Sequence, residues 1–249
     1  MCIECGCGEA NEHHHGHSHS HDHEHDHEHR VVDHAARVVN VQQSVLAHND
    51  HIALHNREAL SARGVIAINL ISSPGSGKTL LLEKTLEALA GKIKCAVITG
   101  DQQTDNDARR LANKGAKIFQ IETKTSCHLN AEQVAAALPE VLEDDTKILF
   151  IENVGNMVCP TAFDLGEHFK VALLSTPEGE DKPEKYPVLF ATAKLTLLTK
   201  MDLADALDWD LKACQHSIQG VHPGMVTLKL SAKTGDGMDA WVDYLSSLV

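Results

Sequence analysis

A short apolar run, Val65–Ile71, enters Ser72-Ser73-Pro74-Gly75-Ser76-Gly77-Lys78-Thr79 and leaves it as a helix-forming stretch, Thr79–Ala90. Strand, glycine loop and helix together fit G-x-x-x-x-G-K-S/T, the phosphate-cradling P-loop, with Ser72 standing where the first Gly is usual. The physics survives that departure. Gly75 and Gly77 let backbone N–H groups turn inward without a Cβ clash, and the helix N-terminus adds partial positive charge. The nucleotide contacts expected here are Gly75, Ser76, Gly77, Lys78, Thr79 and Leu80. Lys78 would reach the β and γ phosphates, as a catalytic group, and the Thr79 hydroxyl would ligate Mg²⁺.

The rest of the chain suits that loop. Apolar runs at Lys94–Ile98, Lys117–Ile121, Lys147–Ile151, Val171–Leu174, Leu195–Leu198 and Val226–Leu230 read as further strands. Helices are expected near Asn106–Lys114, at Ala131–Leu138 with a stop at Pro139, and near Ala204–Ile218 and Met238–Leu248. Continuous apolar strands alternating with helices imply an α/β fold: a P-loop NTPase whose mostly parallel sheet of about seven strands has helices on both faces. This domain is expected at 65–249. It follows a helical segment at 31–64, where Val32, Ala35, Val39, Leu46, Ala53 and Leu60 recur at helical spacing and Gly64 is a stop. Residues 1–30 carry seven acids, one base and little that builds a core, so they are expected to be a metal-binding tail, disordered without metal. The net charge of -13 argues against nucleic acid or an anionic membrane as partner. No apolar run approaches the roughly 18 to 20 residues that span a bilayer. With no signal sequence visible and seven cysteines, an odd number, the expectation is a reduced cytoplasmic protein.

Two segments at later strand ends address the base. Thr199-Lys200-Met201-Asp202 and Ser231-Ala232-Lys233 resemble the N/T-K-x-D and S-A-K elements of GTPases. A carboxylate at Asp202 can accept from both N1–H and the 2-amino group of guanine, donors that adenine does not offer. Lys200 would lie over the base, and Ala232 would donate its N–H to the guanine oxygen. Between these segments and the loop, Glu152 in Ile151-Glu152-Asn153-Val154-Gly155 would hold a Mg²⁺-bound water, and Gly155 would offer its N–H to the γ-phosphate. Asp101, at the end of the second strand, would ligate Mg²⁺ or position water. A helix-capping Asp is the other reading of that residue.

Cys127-His128 and Cys159 offer soft thiolate and imidazole ligands, which suit Zn²⁺ or Ni²⁺ rather than Mg²⁺. Three ligands do not close a tetrahedral site, and a two-fold dimer would bring two sets together. From spacing alone, two unrelated buried cysteines remain an equal reading.

Taken together, Ser73–Thr79, Gly100-Asp101-Gln102-Gln103-Thr104, Cys127-His128-Leu129, Glu152–Asn156 with Cys159-Pro160, and Thr176–Pro183 resemble the HypB family of hydrogenase nickel-incorporation GTPases over about residues 35–249. The resemblance implies a slow GTPase that dimerises with GTP, and a nickel or zinc site at the dimer interface built by Cys127, His128 and Cys159. It also implies nickel delivery to a hydrogenase large-subunit precursor, with a HypA-type chaperone as partner. In the tail, Cys2-Ile3-Glu4-Cys5-Gly6-Cys7 resembles the tight nickel motif of some members, and its spacing lets three thiolates wrap one ion in square-planar geometry. Ten histidines between His13 and His29 alternate with Ser, Asp and Glu and suit loose storage of divalent ions. A urease-accessory GTPase, and a nickel store with a vestigial nucleotide site, are the rival readings. The full cysteine and histidine set weighs against the first, and the intact Lys78, Thr79 and Asp202 against the second.

Overall fold

The structure, a computed structural model, describes residues 27–101, 111, 114–123 and 126–249, with 27–42 and Asp101 by backbone alone. The tail cysteines, the side chains of the histidine tract, the Asp101 carboxylate and most of the helix read near Asn106–Lys114 lie outside these residues.

Among the described residues, seven strands form one all-parallel sheet: β1 Ile66–Ser72, β2 Cys95–Asp101, β3 Lys117–Glu122, β4 Ile148–Glu152, β5 Phe169–Ser175, β6 Leu195–Thr199 and β7 Val226–Lys229. Their spatial order is β3-β2-β4-β1-β5-β6-β7. Parallel neighbours need crossovers, and the helices found between strands are α2 Lys78–Leu89, α3 Ala131–Val141, α4 Cys159–Ala162, α5 Lys182–Lys185, α6 Pro187–Thr192 and α7 Leu211–Val221, while α8 Met238–Ser246 follows the last strand. A long helix, α1, precedes the sheet at His27–Ala62, and Gly64 ends it with φ +65°. Compact packing divides the chain into Met1–His48 and Asn49–Val249.

The period-2 alternation of side chains splits the core between the two sheet faces. Ile68, Leu70, Phe150, Leu173 and Leu197 pack with Leu82 and Leu86 of α2 and Trp241 of α8. Their sequence neighbours point the other way. Ala67, Ile98 and Ile151 meet Val134 and Leu138 of α3, while Ile71, Ala172 and Leu198 meet Phe190 of α6 and Ile218 of α7. Burying both faces is what made β1, β4 and β6 read as continuous apolar runs, whereas the edge strands β3 and β7 are only partly buried. The fully buried Trp241 indole donates to the Thr85 hydroxyl at 2.9 Å, which satisfies its one polar atom.

Two helix boundaries differ from the sequence expectation. Pro139 does not end α3, which runs on to Val141. Proline removes one backbone donor, but Leu138 is largely buried and Val141 fully so, and their packing holds the last turn. The helix expected at Ala204–Ile218 begins only at Leu211. Asp210 caps it by accepting from the N–H groups of Lys212 and Ala213, and residues 201–207 form two short 3₁₀ turns. The short helices α4, α5 and α6 were not anticipated, being too brief to show periodicity.

Candidate functional site

Each candidate segment follows the C-terminal end of a strand, so the topology gathers them along one edge of the sheet. The glycine loop joins β1 to α2. Gly75 and Gly77 have φ +74° and +96°, a conformation that strains any residue with a Cβ. Ser72 is fully buried, and its hydroxyl does three things. It donates to the Ser73 carbonyl at 2.8 Å, accepts from Lys78 Nζ at 2.7 Å, and accepts from the Ser76 hydroxyl. A serine in the first glycine position thus anchors the loop from inside and steadies the buried Lys78 ammonium.

Beside the loop, β4 pairs with β1 so that Glu152 lies opposite Leu70. The buried Glu152 carboxylate accepts from Thr79 Oγ1 at 2.7 Å and from Thr99 Oγ1 at 3.3 Å. Hydroxyl and carboxylate oxygens brought together in this way fit Mg²⁺, a hard cation that prefers oxygen donors. Thr99 was missed by the sequence reading. Its only signal was a hydroxyl near the end of an apolar strand. A cavity of about 380 Å³ runs over Lys78, Thr79, Gly100, Glu152 and Gly155.

A second cavity, of about 190 Å³, adjoins it at Gly77 and Leu80 and extends over Lys200, Asp202, Ser231, Ala232 and Lys233. The two base-recognition segments of the sequence therefore line one pocket. Ser231 Oγ donates to Asp202 Oδ1 at 2.7 Å and orients that carboxylate. Lys200 holds φ +57° and donates from Nζ to the Gly75 carbonyl at 2.6 Å, so its stem crosses the glycine loop. Thr199, where Asn is commoner, donates to the Ser76 carbonyl at 2.9 Å and ties β6 to the same loop. The Thr176 hydroxyl, at the start of the Thr176–Pro183 segment, donates to the Lys200 carbonyl at 3.0 Å.

The soft ligands converge as well. The ligand atoms of Cys127, His128 and Cys159 all lie within 4.8 Å of one another, and Cys127 Sγ is 3.7 Å from His128 Nδ1. His128 and Cys159 are buried, and Cys127 is half-buried. The His128 ring packs against Phe163 at 3.9 Å between centroids, with the planes tilted by 30°. Two sulfurs and an imidazole this close fit Ni²⁺ or Zn²⁺. Burial pushes the thiols of Cys95 and Cys214 up to about 12, which keeps both protonated.

Asn153 connects the nucleotide edge to this cluster, a role the sequence reading did not give it. Its buried Oδ1 accepts from the N–H of Val154 at 3.0 Å and from that of Leu129, the residue after His128, at 3.3 Å. Leu129 in turn packs on Gly100, where a Cβ would stand 2.9 Å from the leucine side chain. Among the described residues, no helix is long and apolar enough to cross a membrane.

A family model described as CobW/HypB/UreG, nucleotide-binding domain, matches residues 66–228. The chain is 49% identical over 211 residues to the hydrogenase maturation factor HypB of Escherichia coli strain K12, covering 85% of this chain and 73% of that one. Among solved structures it is similar to HypB from Archaeoglobus fulgidus, at 37% identity and a TM-score of 0.76, with 82% of this chain and 99% of that chain covered. HypB from Helicobacter pylori in complex with nickel gives 33% identity and a TM-score of 0.76, over 80% of this chain and 94% of that chain.

Proposed function

Because the chain belongs to the HypB family of CobW/HypB/UreG nucleotide-binding proteins and is a GTP hydrolase of that family, we propose that it supplies nickel for the maturation of nickel–iron hydrogenase. In this reading GTP binding makes, and hydrolysis releases, a dimer whose interface holds nickel. The observation that carries it is the convergence of Cys127, His128 and Cys159 beside the segment 152–155 that borders the nucleotide pocket.

The chemistry divides among the residues as follows. The loop N–H groups of 75–80 and the Lys78 ammonium cradle the phosphates. Thr79 would ligate Mg²⁺, Glu152 would hold a water bound to it, and Asp101 would be a further oxygen donor; when bound, the ion would supply positive charge beside the phosphate oxygens. Asp202, oriented by Ser231, selects guanine, and Lys200, Ala232 and Lys233 complete the base site. Gly155 senses the γ-phosphate. Nickel is the cargo of the Cys127, His128 and Cys159 cluster, with Zn²⁺ as its competitor for the same soft ligands. Cys2, Cys5 and Cys7 hold a second nickel tightly, and the histidine tract stores more. A HypA-type chaperone and the hydrogenase large-subunit precursor stand on either side of the transfer, in the cytoplasm.

The test is genetic. A deletion strain is complemented with the full chain or with Cys159→Ala, and hydrogenase and urease are assayed with and without added nickel. Loss of hydrogenase in the variant, relieved by nickel, is expected. Full hydrogenase activity with Cys159→Ala, or a deficit confined to urease, would overturn the proposal.

A further inference from the structure

The last turns of α1 touch both segments that carry the soft ligands. Asn49 Oδ1 accepts from the Ala131 N–H at 2.9 Å, and Asn49 Nδ2 donates to the Asp164 carbonyl at 2.7 Å. Asn56 lies seven residues further on, about two turns along the same helix face. Its amide donates to the Ala131 carbonyl at 2.8 Å and to the Leu165 carbonyl at 3.1 Å. Ala131 comes three residues after His128, and Asp164 five residues after Cys159. Each asparagine therefore ties the segment that follows His128 to the segment that follows Phe163, two residues whose rings meet at 3.9 Å between centroids.

We propose that Asn49 and Asn56 are positioning residues for the metal cluster, clamping the Cys127-His128 segment and the Cys159 segment to one face of α1. The proposal rests on the reading of Cys127, His128 and Cys159 as metal ligands. Both asparagines are buried, at 6% and 4% exposure, and Asn56 divides its amide donation between the two segments. A buried amide committed in this way fixes a distance that apolar packing alone would leave adjustable. The segment after Cys159 is shaped to receive it. Gly166 has φ +89°, and a Cβ there would overlap the Asn56 Cβ. Arg57 adds a second tie on the Cys159 side, with its guanidinium on the Asp164 carboxylate at 2.6 and 2.7 Å. Partners behind the ligands set the geometry that an ion meets, and losing one commonly weakens metal binding 10- to 100-fold.

The test uses the full chain with Cys2, Cys5 and Cys7 changed to Ser, and Co²⁺ as the probe ion. The thiolate-to-cobalt absorption band reports cysteine ligands only, so the histidine tract is silent in it. In this background Asn56→Leu is expected to weaken Co²⁺ binding roughly tenfold or more and to change the band. Asn49→Asp keeps an acceptor for the Ala131 N–H but loses the donor to Asp164, and it should weaken binding as well. Should Asn56→Leu fail to fold, Asn49→Asp carries the test. Leu60→Val trims the same helix at a fully buried apolar contact, so it should lower the melting temperature and leave Co²⁺ affinity unchanged. If both asparagine variants bind Co²⁺ like the parent, or if Leu60→Val loses affinity equally, the clamp is wrong. If the parent shows no thiolate band, the ligand reading itself fails and takes the clamp with it.

Discussion

Gly155 lies against Pro74 so closely that a Cβ on Gly155 would stand 2.9 Å from the Pro74 Cα and 3.1 Å from its nitrogen. The contact joins the segment that leads to Cys159 to the loop proposed to hold the phosphates. Both sides of it are backbone, so neither can swing away. Gly155→Ala must therefore shift one segment, at a cost of about 1–3 kcal/mol for overpacking. Displacement of groups around a reacting phosphate costs more in rate than in stability. GTP turnover is expected to fall roughly 10- to 100-fold with a modest loss in melting temperature. A wild-type kcat for this variant would remove Gly155 from the machinery.

Asp202→Asn tests the base assignment. The carboxylate, held by Ser231, would accept twice from guanine, whereas an amide would pair with the extra carbonyl of xanthine. Competition binding should show preference moving from GTP toward xanthosine triphosphate by roughly tenfold or more. Unchanged guanine preference would mean that Asp202 does not read the base.

What the sequence made legible follows from what patterns report. Strands buried on both faces announce themselves as apolar runs, and a glycine loop at a strand end announces a turn toward phosphate. Apolar runs located all seven strands, the partly exposed edges β3 and β7 included, and short motifs at strand ends located the segments around Lys78, Glu152, Asp202 and Ser231. Pro139 misled because the expected stop yields to burial of Val141, and the start expected at Ala204 failed because the Asp210 side chain caps the helix only at Leu211. Thr99, Asn153, Asn49 and Asn56 stayed silent for a different reason. Their roles are hydrogen bonds to residues 24 to 115 positions away, and nothing in periodicity encodes a partner at that range.

His168 predicts a pH dependence of stability. Its Nδ1 accepts from the Ala67 N–H at 3.0 Å, which requires the ring to be neutral there. Burial, reinforced by the nearby Arg57 charge, holds its pKa below the ordinary 6.5. The unfolded chain then takes up a proton that the folded chain refuses, so stability falls as pH drops below about 6.5 toward the lowered folded value. Glu167 next to it has its pKa raised by burial, which gives the opposite slope at its own titration. Comparing His168→Gln with the parent cancels that contribution. The melting-temperature gap between the two should shift in the variant's favour below pH 6.5, and a gap constant from pH 8 to 5 would contradict the assignment.

The cluster of Cys127, His128 and Cys159 is expected to couple metal to nucleotide. Asn153 accepts from the N–H beside His128, Gly155 abuts the phosphate loop, and Cys159 follows four residues later in the same segment. A segment drawn in by the γ-phosphate therefore carries Cys159 relative to Cys127 and His128. In a two-fold dimer the second copy supplies the remaining ligands. Nickel should then favour the GTP-bound dimer, and by linkage GTP should tighten nickel by the same factor. Sedimentation of the chain with Cys2, Cys5 and Cys7 changed to Ser, in GDP or a non-hydrolysable GTP analogue, with and without nickel, measures both. The dimer should gain most from nickel in the GTP state. Cys127→Ala or Cys159→Ala should abolish that gain while leaving GTP affinity of the monomer within about twofold, since neither side chain lines the nucleotide cavities. If nickel shifts dimerisation equally with either nucleotide, or if Cys159→Ala still responds to it, the switch does not run through this cluster and Cys159 serves only to pack α4 against its neighbours.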